Sequence, residues 1–246
     1  MPPVYRCFPY RMANFRTAFD ELLSTRLIPE FCGDPVRLCE RSGFRSDAVR
    51  VSERDAKYFL MAFEAGLIEH LGRGLYRAPN SAASEQFFWE GLRSQKPRTF
   101  SLWLEPVITV AALARLHFDH GWPKQLIGTQ SVDWAFDVVA FQPDQATETV
   151  AGEVKKSENE LDQLIRLMEH FGRWPEIVEP VAPAKDRNAY KKVDALRARR
   201  VPLFWAVGPD GLSKVFRIQY GALGEIDFIV AGEDDLRFNK ASHPLP

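Results

Sequence analysis

What this 246-residue chain has little of narrows its function before any motif does. Cysteine is scarce: Cys7, Cys32 and Cys39 are too few to pair completely, and Cys32 and Cys39 lack the C-x-x-C spacing of a zinc knuckle. Reduced thiols with a packing role are expected. Net charge is nearly absent, because 32 Lys and Arg face 33 Asp and Glu, so a nucleic-acid partner has to be met by local patches. No apolar run approaches the ~18 residues needed to cross a bilayer, and MPPVYRCFPYRMANF lacks the apolar stretch of a signal peptide. A soluble, cytoplasmic protein with no membrane partner is expected. The sequence also lacks a Walker loop, a G-x-G-x-x-G turn and a G-x-S-x-G elbow, which argues against a nucleotide cofactor or an esterase-type nucleophile. His117, His120 and His170 have no H-E-x-x-H spacing, so a zinc site is not expected. There is no internal repeat.

A hydrophobic content of 46% over this length can bury a substantial core, and two domains are expected, 1–80 and 81–246. From Asn14 to about Asn80 the pattern is helical and closes with a hairpin. NFRTAFDELLSTRLI sets Phe15, Phe19, Leu22 and Leu23 at helical spacing, and SERDAKYFLMAFEAGLI begins with Ser52 as N-cap and stops at Gly66. Leu67-Ile68 and Leu75-Tyr76 then flank HLGRG, where Gly72 and Gly74 suit a tight turn. This segment, and EAGLIEHLGRGLYRAP above all, resembles a winged helix-turn-helix domain. The resemblance implies a helix in the major groove and a wing on the backbone, with Ser52, Arg54, Lys57 and Arg73 near DNA. Asp55, Glu64 and Glu69 dilute that positive charge, and docking onto a protein is the competing reading.

NSAASEQ, residues 80–86, has the composition of a linker or a helix start. After FFWEGLRSQ, LWLEPVITVAALARLHFDHG predicts an amphipathic helix ending at Gly121. KQLIGTQ and WAFDVVAFQ read as strands, PDQATE as a turn, TVAGEVKKS as a third strand, and ENELDQLIRLMEHFG as a helix ending at Gly172. RNAYKKVDALRARR reads as a basic helix. VPLFWAVG is an apolar strand of the kind covered on both faces, followed by strands in SKVFRIQY and EIDFIVA. The fold class is therefore α/β.

The chemistry gathers at two of these strands. Asp137 is followed by Val-Val-Ala-Phe, and an ionised carboxylate there needs a partner. Glu153 on the next strand supplies one, and Lys155, two residues on, faces the same side. Two hard oxygen ligands beside a cation suit phosphodiester hydrolysis. The carboxylates hold Mg²⁺, or Mn²⁺ in its place, and the lysine orients water or stabilises the transition state. Asp133 competes with Asp137 for the aspartate role. Four residues along a strand span roughly 13 Å, so both cannot bind one ion, and the apolar run after Asp137 favours that position.

Asp137, Glu153, Val154 and Lys155 resemble the Asp...(Asp/Glu)-x-Lys core of the PD-(D/E)xK nuclease superfamily, with Phe136 where many members carry proline. The resemblance extends in element order over residues 100–210 and implies a restriction-endonuclease-like mixed sheet flanked by helices. It also implies Glu105 as an extra metal ligand from the first helix and Gln163 as a water or substrate contact. The bland alternatives are a dipole-favoured acid at a helix start and a solvent-facing glutamine.

KDRNAYKKVDALRARR carries Lys185, Arg187, Lys191, Lys192, Arg197, Arg199 and Arg200, which suits phosphate neutralisation or an ordinary basic surface; Lys156 is a further phosphate contact or solvated charge. The expectation is a Mg²⁺-dependent endonuclease acting on duplex DNA, with a homodimer favoured if both strands are cut. The runner-up is a winged-helix regulator or antitoxin-like protein whose nuclease-like fold is a scaffold. A third reading is an interaction protein of a larger complex.

Overall fold

The computed structural model describes residues 14–131, 134–179, 181 and 183–238, and Cys7 and Asp133 lie outside them. The chain opens with α1 (Phe15–Leu22), whose N-cap Asn14 accepts the Thr17 amide; it passes through a π-helical turn and runs into α2 (Ile28–Cys32). Phe19, Leu23 and Phe31 are buried along its inner face. The helical pattern expected up to Asn80 is interrupted by a strand, β1 (Cys39–Phe44). Its sequence, CERSGF, is apolar only at its ends and gives no period-2 signal.

Ser52 caps α3 (Glu53–Glu64), accepting the Asp55 amide, and Gly66 follows the helix at φ +64°, where a left-handed residue ends it. The hairpin pairs β2 (Glu69–Gly72) with β3 (Leu75–Arg77) around Gly72-Arg73-Gly74, all at positive φ. Residues 80–86 are not a free linker, because β4 (Glu85–Gln86) within them pairs with β3. A second small sheet has β5 (Phe88–Glu90) antiparallel and β1 parallel to β6 (Arg98–Leu102). Tyr76 stacks on Phe87 at 4.4 Å, and one continuous core holds side chains from both sides of residue 80.

The central sheet has six strands in the order β12-β11-β10-β9-β8-β7. They are β7 (Ile127–Thr129), β8 (Val138–Phe141), β9 (Glu148–Val154), β10 (Leu203–Val207), β11 (Ser213–Tyr220) and β12 (Ile226–Ala231). Only β9 and β10 run parallel, so the sheet is mixed. Side-chain alternation divides its two faces. Val138, Val150, Leu203 and Trp205 pack with α3 and with α4 (Leu104–Phe118). Val139, Ala151, Phe204 and Phe216 pack beneath α5 (Glu158–Arg173) and α6 (Ala184–Arg199). The result is mixed α/β with helices on both faces, and no helix among the described residues is long and apolar enough to cross a membrane.

Three sequence expectations shift. α4 is not amphipathic: Pro106 to Leu116 are all buried, with Thr109 and Arg115 among them, because α3 covers the face turned away from the sheet. α5 continues past Gly172 to Arg173, and Gly172 serves close packing, since a Cβ there would lie 2.7 Å from the Ile226 carbonyl oxygen. The strand expected in WAFDVVAFQ begins only at Val138, which leaves Asp137 at its mouth. Strand β10 is buried at every position, as its apolar run predicts.

Candidate active site

Strand pairing brings the two acids together. Val138 faces Gly152, and the Asp137 amide donates to the Gly152 carbonyl at 3.0 Å, so one further step of the antiparallel register sets Asp137 opposite Glu153. Alternation puts both on the face covered by α5 and α6, as flanking Val139 and Ala151 show. Directly opposed residues on one sheet face hold their Cβ atoms roughly 4.5–5.5 Å apart. Asp137 Oδ2 accepts the Val154 amide at 2.9 Å, which fixes its rotamer beside the strand end.

Glu153 is 2% exposed and carries two cations. Lys155 Nζ donates to Oε1 at 2.5 Å, and Lys192 Nζ donates to Oε2 at 2.6 Å. Lys155 lies one residue beyond β9, where its amide continues the pairing onto Val207 and its ammonium also meets the Val154 carbonyl. Lys192 reaches down from α6, donates to the Ala135 carbonyl and lies 5.5 Å from the Phe136 ring centre. Lys192, expected among the nucleic-acid contacts, thus has its ammonium on Glu153 and also lines the cavity above it.

The unequal partners drive the acids apart electrostatically. Burial, reinforced by the facing Glu153 carboxylate, pushes the Asp137 carboxyl up to about 7, against the pull of Lys192 and Lys155. Burial also acts to raise Glu153, but Lys192, Lys155 and their hydrogen bonds more than offset it and hold this carboxyl below its ordinary value. Lys155 would be lowered by burial, yet Glu153 and Asp137 keep it above the usual lysine range. It is thus a fixed cation, suited to holding negative charge and orienting water, and a poor proton acceptor.

Over this cluster lies a cavity of about 230 Å³ lined by Glu153, Lys155, Gln163, Lys185, Asn188 and Lys192. Gln163 on α5 thus sits where it can touch a molecule bound beside Glu153. Lys185, Asn188 and Lys192 share one face of α6 by helical spacing, whereas Arg187 donates to the Val181 carbonyl and Lys191 pairs with Glu179 at 3.6 Å on a flanking face. Asn188 was not singled out from sequence; the signal for it is its three- and four-residue spacing from Lys185 and Lys192.

Glu105 stands at the first turn of α4, accepts the Trp103 indole N–H at 3.1 Å and lines a separate hollow with Lys156. No cluster of three metal-ligating side chains occurs among the described residues, and Glu105 lies near enough to Lys155 for its charge to help raise that lysine. Mg²⁺ usually takes one or two protein carboxylates and completes its shell with water and substrate phosphate; Asp137 and Glu153 are the groups here that could hold one, and each Glu153 oxygen already accepts from a lysine. Burial is the main cause of the raised Asp137 carboxyl, and the facing Glu153 charge adds to it.

The N-terminal groups expected near DNA are dispersed. Arg54 packs against Gly211 in the turn after β10, and Asp55 Oδ2 accepts the Asp210 amide at 2.8 Å, so the first turn of α3 is docked on the central sheet. Glu53 accepts the Phe15 and Arg16 amides at the start of α1. Lys57 lies 5.3 Å from the Tyr58 ring centre, while Arg73 stays exposed at the hairpin tip. Ser52 is occupied as the α3 cap. No family model, curated protein or solved structure matches the chain.

Proposed function

We propose that this chain is a metal-dependent nuclease that hydrolyses DNA phosphodiester bonds, with a restriction-endonuclease-like core. The observation that carries the reading is the convergence of Asp137, Glu153 and Lys155 at neighbouring strand ends, beneath a cavity lined by Gln163 and Lys185. Asp137 and Glu153 would hold Mg²⁺, with Mn²⁺ as a substitute. When bound, the ion neutralises charge on the phosphate and acidifies water.

The chain's own groups have distinct tasks. Lys155, held protonated, presents positive charge to the oxygen on which negative charge develops. Lys192 and the α5–α6 packing fix Glu153 and limit water around it. Gln163 and Asn188 offer amides to the substrate, and Lys185 offers a cation for a flanking phosphate. Lys156 adds an exposed positive charge next to Lys155, and Arg73 offers another at the hairpin tip of the winged-helix-like segment. A homodimer would bring two such sites to the two strands, which sedimentation of the protein on duplex tests.

The test is cleavage of plasmid, linear duplex and single-stranded DNA in Mg²⁺, Mn²⁺ or EDTA. Wild type should cut only with metal, and Glu153→Ala and Lys155→Ala should each lose about 10²–10³-fold in rate. No cutting in any metal, with duplex binding intact, would favour the winged-helix regulator. That alternative has less support, because the first turn of α3 is occupied by the Asp210-Gly211 turn.

A further inference from the structure

A second hollow, of about 490 Å³, opens beside the candidate active site, and its lining differs in kind from the first. Two indoles dominate it. Trp89 on β5 is 60% exposed, an unusual position for so large an apolar ring, and its centre lies 5.8 Å from that of Trp103 with the planes at 76°. The Trp103 ring is held by its N–H bond to Glu105. Arg50 and Lys156 contribute exposed cations; Glu105 is the one acid in the lining, and Lys156 is 3.5 Å from Glu160 at its other side. The two hollows adjoin in sequence, since Lys155 lines one and the next residue, Lys156, lines the other.

We infer that this hollow holds an unpaired nucleotide of a DNA strand, with its base on Trp89 and its phosphates on Arg50 and Lys156. The inference rests on the nuclease reading and names the substrate class: DNA with single-stranded character next to the cleaved bond. An aromatic face flanked by cations is what a splayed base and its backbone require, and a base inside a duplex hides the face that stacks. The volume lies in the ~300–1,000 Å³ range of small-ligand sites, enough for one nucleotide. Glu105, whose Oε2 accepts the Trp103 indole N–H, repels phosphate and so favours the Arg50 and Lys156 side for the backbone.

Binding in EDTA separates this inference from the nuclease reading, because it does not need cleavage. Fluorescence anisotropy of the full chain would compare a short oligothymidylate with a blunt hairpin duplex. Trp89→Ala should weaken the oligothymidylate by about 5–150-fold and change duplex binding less than about twofold. Trp89→Phe, which keeps a stacking ring, should retain most of the affinity, and Lys156→Ala should lower both affinity and salt dependence. Unchanged oligothymidylate binding by Trp89→Ala, or an equal loss on both probes, would overturn the inference. Trp89-dependent binding in a protein that cuts nothing would sink the nuclease and leave the groove. Cutting that ignores Trp89 would do the reverse.

Discussion

Asp137→Asn is the substitution whose effect on stability follows most directly from the site. Burial and the facing Glu153 carboxylate take the Asp137 carboxyl from 3.8 to about 7 on folding. Below 3.8 the folded and unfolded chains both hold the proton, and the group adds no pH dependence. Between 3.8 and about 7 the folded chain keeps a proton that the unfolded chain has released, so stability falls as pH rises. Above about 7 the full penalty is present. At about 1.36 kcal/mol per pH unit, a rise of about 3 units amounts to at most about 4 kcal/mol. Asparagine preserves the shape and the acceptor for the Val154 amide without the charge.

The variant should therefore match wild type near pH 4 and exceed it by up to about 4 kcal/mol at about pH 8.5. Urea unfolding across that range in EDTA measures this, and groups elsewhere that titrate, such as His120, cancel in the difference between the two proteins. A difference that stays flat between about pH 5 and 8.5 would refute the claim that Asp137 is held in an acidic, desolvated pair. Saturating Mg²⁺ should then raise wild-type stability by about 2.7 kcal/mol at a hundredfold excess over Kd, with much less effect on the variant.

Lys192→Ala should cost about 2–3 kcal/mol in urea unfolding, less than a fully unpaired buried charge because Lys155 stays on Glu153. Gly172→Ala drives a Cβ to 2.7 Å from the Ile226 carbonyl oxygen, and thermal melting should show a loss of about 1–3 kcal/mol as α5 lifts from β12. Asp55→Ala strands the Asp210 amide, so unfolding should register about 1–3 kcal/mol, and hydrogen exchange should quicken in the turn after β10. Mg²⁺ binding should release close to one proton below about pH 6 and almost none above about pH 8, because Asp137 must ionise to serve. Calorimetry in buffers of different ionisation enthalpy reads that number, and proton uptake in place of release would contradict it.

Some of this architecture is legible in the chain and some is not, for identifiable reasons. Glu153 and Lys155 stand out because an apolar strand ends abruptly in charge, and Asp137 because four apolar residues follow it. Gln163 needed the likeness to a known element order, since one polar residue on an amphipathic helix carries no signal of its own. Charge alone does not distinguish Lys192 from Arg187 and Lys191. Helical spacing separates them, for Lys185, Asn188 and Lys192 share a face that the other two leave. Strand β1 has too few apolar residues to announce itself and exists because β6 offers it a parallel edge. The burial of α4 depends on α3 lying across it, a tertiary fact that no local period contains.

Two carboxylates of similar chemistry, placed opposite each other on one sheet face, are shifted in opposite directions because their neighbours differ. Glu153 takes both lysines and stays ionised, while Asp137 is left with a backbone amide and a neighbouring negative charge. A purely structural pair gains nothing from this division, since giving one lysine to each acid would relieve the Asp137 penalty without any change of composition. The arrangement instead keeps Glu153 charged and leaves the charge of Asp137 to change near neutral pH. Sites that act on substrates recurrently hold matched groups at unmatched pKa values. The unequal split of two lysines between two acids is therefore a stronger pointer to function than the presence of the four residues alone.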